Sequence, residues 1–174
     1  MYKYAFAFQY QRVIEELITQ YFRLDPFLLS VPWNQLLQNR RIALVPVPMT
    51  KKKESNRGFS PAFELTVVLA RILSKRYEVQ LQVFPSLLTK NDDTEVQAHK
   101  NRRQRLLSLQ RTYSVNEVAV SEFCSYEPQA LIVVDDILTT GATTTVVIEQ
   151  VAKSKSIREL LKNKPIIRFT FANA

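Results

Sequence analysis

Two adjacent carboxylates, Asp135 and Asp136, close an apolar run that begins at Ala130, and a turn of hydroxyls follows: Thr139, Thr140, Gly141, Ala142 and Thr143. These residue types in this order suit a sugar that carries a phosphate. A phosphate needs several converging donors, and a helix N-terminus offers free backbone N–H groups with a favourable dipole. The threonine hydroxyls add donors, and Gly141 admits a close backbone approach because no Cβ intervenes. Asp135 and Asp136 would repel the phosphate itself. One sugar's width away they can accept hydrogen bonds from a vicinal diol. The chain has only two glycines in 174 residues. Gly141 is therefore expected where backbone geometry demands it.

Other sites also place paired aspartates after an apolar strand. A phosphoacceptor receiver needs a further Asp at a later strand end, and no Asp follows Asp136. A P-loop enzyme needs G-x-x-x-x-G-K-[ST], which the chain lacks. The plain structural alternative is an acidic strand end with threonines that merely cap a helix. It explains a bare Asp-Asp pair, whereas in the full run each position has a role in one phosphate-and-diol site.

The elements that must position this run are legible as alternating strands and helices. Phe8 to Phe22 has helical spacing, with Tyr10, Ile14, Leu17, Ile18, Tyr21 and Phe22 on one stripe. Asp25-Pro26 can start a second helix with Phe27, Leu28, Leu36 and Leu37 inward. Ile42 to Val47 reads as a buried strand that leaves its sheet at Pro46-Val47-Pro48, and Lys51 to Gly58 as a basic loop. Ser60-Pro61 looks like a cap and first-turn proline before Leu65, Val68, Leu69, Ile72 and Leu73. Val79, Leu81 and Val83 alternate as a strand does, and Tyr113 with Val115 suggests a short one. Lys90 to Gln110 is polar and is expected as a mobile loop running into a short helix. Leu131 to Val134 is the central strand, Thr143 to Ala152 a helix with Val146, Val147 and Val151 inward, and Ile166 to Phe171 a last strand. This alternation predicts an α/β fold with a central, mainly parallel sheet flanked by helices. Ligands of such sheets bind at the carboxyl ends of strands. If the strands ending at Val47 and Val134 are neighbours, their loops converge on one ligand.

Composition sets bounds on the class. The length suits one domain with a substantial core. No apolar run approaches membrane-spanning length, so membrane insertion is not expected. The interrupted stretch Met1 to Phe8 is unlike a signal peptide. A single cysteine, Cys124, excludes an internal disulfide and a cysteine-based zinc site, and reads as an inert thiol. Together these features imply a cytoplasmic protein. The net charge of +8 favours phosphorylated substrates or nucleic acid as partners, and equally fits a basic enzyme with charge spread over its surface.

The run Val133 to Thr143 resembles the phosphoribosyl pyrophosphate (PRPP) signature of type I phosphoribosyltransferases. The wider chain, roughly residues 42 to 172, is similar to the ComF family of competence-associated phosphoribosyltransferase-like proteins. That similarity is carried by Val45-Pro46-Val47-Pro48, Arg57-Gly58-Phe59, Thr94 and Gln97, the basic segment around Arg105, and Phe169-Thr170-Phe171-Ala172. The chain differs in lacking the four-cysteine zinc ribbon common at the start of family members. It also has Ser60-Pro61 where Asn-Gln is common, and Ser108 where Asn is usual.

The resemblance implies a type I phosphoribosyltransferase-like fold with a flexible hood loop. A helical extension over residues 1–40 would pack on a main domain of residues 41–174. Asp135 and Asp136 would hold the ribose hydroxyls as the catalytic acidic pair. Thr139, Thr140, Gly141, Ala142 and Thr143 would wrap the 5′-phosphate. Pro46, Val47 and Pro48 would lie by the pyrophosphate, where the superfamily often strains its backbone, and Lys90 to Arg105 would overlie the site. Mg²⁺ would enter with PRPP, held by substrate oxygens and water and not by direct protein ligation. An active enzyme would release pyrophosphate through an oxocarbenium-like state.

The role the family implies is natural transformation: a PRPP-binding protein that handles imported single-stranded DNA, with a competence helicase or other DNA-processing proteins as partners. An active phosphoribosyltransferase with an unidentified acceptor and a PRPP-sensing module are the alternatives. Lys51, Lys52, Lys53 and Arg57 form one basic cluster, and Lys100, Arg102, Arg103 and Arg105 a second. The first, next to the expected pyrophosphate turn, reads as a contact to pyrophosphate or to nucleic-acid phosphate, or as a solvated loop; the second reads as a DNA-contacting patch or as a solvated face. His99, the only histidine, is more simply a bystander than a general base, and Trp33 is more simply core than partner surface.

Overall fold

A computed structural model describes residues 7, 9–18, 40–91, 111–138 and 141–173. Helix α1 spans residues 9–18. It is followed by β1 (Arg41–Pro46), α2 (Lys51–Arg57), α3 (Pro61–Arg76), β2 (Gln80–Val83), β3 (Leu88–Lys90) and β4 (Tyr113–Val115). Then come α4 (Glu117–Tyr126), β5 (Ala130–Leu138), α5 (Ala142–Lys153), α6 (Lys155–Leu160) and β6 (Ile166–Asn173). Strands β2-β1-β5-β6 form a parallel sheet in that order, and β3 and β4 pair antiparallel apart from it. The fold is α/β, with a parallel central sheet flanked by helices.

Parallel strands covered on both faces must be apolar where they are covered, and Ile42 to Pro46 of β1 and Ala130 to Val134 of β5 are. Ala43, Val45, Leu131 and Val133 pack on one face against Val146, Val147 and Val151 of α5 and Phe123 of α4. Ile42, Leu44, Ile132 and Val134 pack on the other against Leu65, Val68, Leu69 and Leu73 of α3. Ile14 and Ile18 of α1 lie in this second core, each 2% exposed. Leu17, also on the expected stripe, is instead 44% exposed. Three polar ties fix α1 along α3. Gln11 donates to Glu64, while Glu15 pairs with Arg71 at 2.9 Å and Lys75 at 3.7 Å.

Two expectations are corrected. Lys51 to Gly58 is not a loop. Thr50 caps α2 by accepting from the Lys53 amide, and Gly58 ends it in the left-handed region at φ 87°. Strand β5 also runs past Val134. It stays paired with β6 as far as Leu138, so the aspartates lie within the strand and not after it. The helix expected from Asp25-Pro26, and the residues Trp33, Thr94, Gln97, His99, Lys100, Arg102, Arg103, Arg105, Ser108, Thr139 and Thr140, lie outside the described residues. No helix among the described residues is long and apolar enough to cross a membrane.

Candidate ligand-binding site

Strands β1 and β5 are neighbours, in register from Ile42 opposite Ala130 to Pro46 opposite Val134. Their carboxyl ends therefore open on the same edge of the sheet. The Val47 amide makes one last bond, 2.8 Å to the Val134 carbonyl, and β1 then departs. With β1 gone, the side chains that follow on β5 border a cleft of about 260 Å³. Asp135, Asp136 and Ile137 line it from β5, and Val47, Pro48 and Met49 from the segment after β1. No residue from Pro46 to Pro48 has a left-handed backbone.

Two helices present their first turns to this cleft, α3 through Ser60, Pro61 and Ala62 and α5 through Thr143. Ser60 is the cap residue of α3 but makes no side-chain capping bond, and Pro61 occupies the first turn. The dipoles of two helix starts favour an anion. Gly141 precedes α5 at φ 70°, a left-handed conformation that costs an L-residue with a Cβ about 1–2 kcal/mol. The Thr144 and Thr145 hydroxyls turn back to the Gly141 carbonyl, at 3.0 and 2.9 Å. Among the described residues of this turn, Thr143 is the one that lines the cleft.

Alternation along β5 sends adjacent side chains to opposite faces. Asp135 continues the face of Leu131 and Val133, and is only 8% exposed. Its Oδ1 accepts from the Asp136 amide at 3.0 Å. Burial, then the neighbouring Asp136 charge, pushes the Asp135 carboxyl up to about 6, while Lys90 pulls it partly back. Lys90 lies over the Tyr113 ring, with Nζ 4.9 Å from the centroid. Burial lowers its ammonium pKa, opposed by Asp135. Burial and Asp135 together push the Tyr113 hydroxyl up to about 12, so it stays a neutral donor. Arg57, at the last turn of α2, completes the cationic wall. The cleft therefore sets two carboxylates beside two cations and two helix starts. It can take a ligand that carries hydroxyls together with anionic groups.

Comparison with protein-family models, with curated proteins and with solved structures finds no match. The site is characterised by its own geometry.

Of the residues expected at the site, Asp135, Asp136, Thr143, Val47, Pro48 and Arg57 line one cleft. Pro46 is buried as the last residue of β1, and Ala142 opens α5 without lining the cleft. Lys51, Lys52 and Lys53 are exposed on α2, outside the cleft wall. Lys90, expected only as the first residue of a loop over the site, and Tyr113, expected only in a short strand, both line the cleft. The signal for them was the pair of short alternating runs, Leu88 to Lys90 and Tyr113 to Val115. These make a ribbon only when paired across the intervening chain. Among the described residues, no three His, Cys, Asp or Glu side chains gather as a metal centre.

Proposed function

We propose that this protein binds PRPP together with Mg²⁺ in the β1–β5 cleft, and that it acts as a ComF-like protein in natural transformation, handling imported single-stranded DNA. One observation supports the ligand: the acidic pair and Thr143 border the same cleft as Val47, Pro48, Arg57 and Lys90. A ribose 5-phosphate bearing pyrophosphate has hydroxyls and two anionic ends to match that order. Asp135 and Asp136 would accept from the ribose hydroxyls, and the α5 start would hold the 5′-phosphate. Arg57, Lys90 and the α3 start would face the pyrophosphate. The two aspartates are the only acidic groups lining the cleft among the described residues. Mg²⁺ would thus sit mainly on ligand oxygens and water, where it neutralises pyrophosphate charge.

The transformation role rests on the resemblance to the ComF family and on the basic surface. Lys51, Lys52 and Lys53 stand exposed on α2, whose last residue, Arg57, borders the cleft. A strand of DNA could follow that surface.

An active transferase is the second reading. It is favoured by Met49 and Ile137, the latter 49% exposed, which add apolar surface to the cleft where a flat acceptor could lie.

Isothermal titration with Mg²⁺-PRPP tests the ligand, with Asp135→Asn/Asp136→Asn as control. Saturable heat from the wild type and none from the control is expected. Absence of binding by the wild type would overturn the reading. Release of pyrophosphate on adding candidate acceptors separates transferase from binding protein.

A further inference from the structure

Helix α1 reaches the site from outside the sheet. Its residue Tyr10 packs on Phe59, with ring centroids 5.3 Å apart at 48°. On the Phe59 ring lies the Arg57 guanidinium, 5.8 Å from the centroid. Arg57 lines the cleft, so a stack of three side chains runs from α1 to the ligand site.

We propose that α1 completes this site: Tyr10, acting through Phe59, holds the Arg57 guanidinium toward the cleft for the anionic group of the ligand. The proposal deepens the PRPP reading and rests on it only in requiring that the cleft take an anion.

Arg57 is an exposed arginine at the end of a short helix, and such a side chain has many rotamers. A planar guanidinium laid on an aromatic face gives up much of that freedom before a ligand arrives. Phe59 can serve as that face only if it is itself fixed, and Tyr10 fixes it. Tyr10 is held in turn by its helix, since Ile14 and Ile18 are buried and Gln11 and Glu15 are tied to α3. The Tyr10 hydroxyl lies in the field of Asp136, Arg57 and Glu64. Burial and then Asp136 raise its pKa, and Arg57 opposes them. Tyr10 is thus a positioning residue, linked to the cleft through Phe59 and Arg57.

A binding cycle tests this with Mg²⁺-PRPP and, separately, inorganic pyrophosphate. Arg57→Ala is expected to weaken binding about ten-fold or more. Tyr10→Ala and Phe59→Leu should each weaken it about two- to five-fold. Tyr10→Phe, which keeps the ring, should restore the wild-type value. In Tyr10→Ala/Arg57→Ala the loss should equal that of Arg57→Ala alone, because one acts through the other. A purely structural role for Tyr10 would instead add its loss to that of Arg57→Ala. Additive losses, unchanged affinity in Tyr10→Ala, or failure of Tyr10→Phe to restore binding would each overturn the proposal. If Tyr10→Ala does not fold, Phe59→Leu in the same cycle decides. Wild-type binding of pyrophosphate without PRPP would sink the sugar reading and leave the stack to be judged on pyrophosphate. Binding of neither would overturn both.

Discussion

Lys90 and Tyr113 are register partners on β3 and β4, and the Lys90 ammonium rests 4.9 Å from the Tyr113 ring centroid. One residue stands where the chain leaves this ribbon and the other where it returns. The contact joins the ends of β3 and β4 near Asp135, which feels the charge of Lys90.

Replacing Lys90 with methionine should keep the stem packed on Tyr113 and remove the charge. The Asp135 carboxyl, already raised to about 6, should then titrate higher, because Lys90 is a group that lowers it. Carboxyl carbon NMR across pH 4 to 8 reads this directly. A midpoint that moves down would contradict the assigned geometry. On the proposed function, Mg²⁺-PRPP affinity should also fall about ten-fold, the scale of one charge-assisted contact.

The raised Asp135 carboxyl carries a stability signature. Its ordinary value is 3.8 and its folded value about 6, so the folded chain holds that proton more tightly than the unfolded chain does. The advantage is complete below about pH 4, shrinks as pH rises to about 6, and is gone above. Asp135→Asn should flatten that part of the profile and stabilise the unliganded protein at pH 7 by about 1–2 kcal/mol, after discounting for screening at the cleft mouth. Urea unfolding of both proteins at pH 4, 5, 6 and 7 measures the difference. Equal slopes would show that Asp135 ionises as freely folded as unfolded.

Gly141→Ala places a Cβ at a left-handed position, φ 70°, at the start of α5. A loss of about 1–2 kcal/mol is expected in thermal unfolding, with Gly141→Asn milder. If a phosphate binds at the α5 start, both variants put side-chain atoms in its path. On the proposed function each should lower Mg²⁺-PRPP affinity by more than its stability loss explains. Retained affinity in the alanine variant would move the phosphate away from the α5 start.

Ile14 on α1 is 2% exposed within the core built on α3 and the sheet. Ile14→Ala should cost about 2–4 kcal/mol in urea unfolding, as for other buried isoleucines. A cost below about 0.5 kcal/mol would make α1 a surface attachment.

The three lysines that open α2 are exposed, so neutralising them should leave the fold intact. If they contact single-stranded DNA, Lys51→Gln/Lys52→Gln/Lys53→Gln should reduce the slope of log affinity against log salt by about 2. Mg²⁺-PRPP binding should stay the same, since none of the three lines the cleft. An unchanged salt slope would remove them from any DNA path.

The site was legible in sequence wherever its parts are contiguous. Val133 to Thr143 brings the acidic pair, the left-handed glycine and the helix start in one run, and Pro46 to Pro48 marked the exit of β1. The end of β5 was misread because Asp135 and Asp136 look like a terminus, while pairing with β6 carries the strand on to Leu138. Lys51 to Gly58 looked like a loop because three lysines hide a helix whose only markers are the Thr50 cap and Gly58. Arg57 was found for its charge, and its aromatic support was not. Nothing local in the sequence links Tyr10 to Phe59, which meet only once α1 packs along α3.

Both glycines of this chain, Gly58 at φ 87° and Gly141 at φ 70°, adopt left-handed turns, one behind Arg57 and the other ahead of Thr143. Everywhere else a Cβ narrows the conformations open to the denatured chain, so folding forfeits less disorder per residue than in a glycine-rich protein. The same scarcity has a local result. A swing between right- and left-handed backbone is cheapest at these two points, which flank the cleft like a pair of pivots.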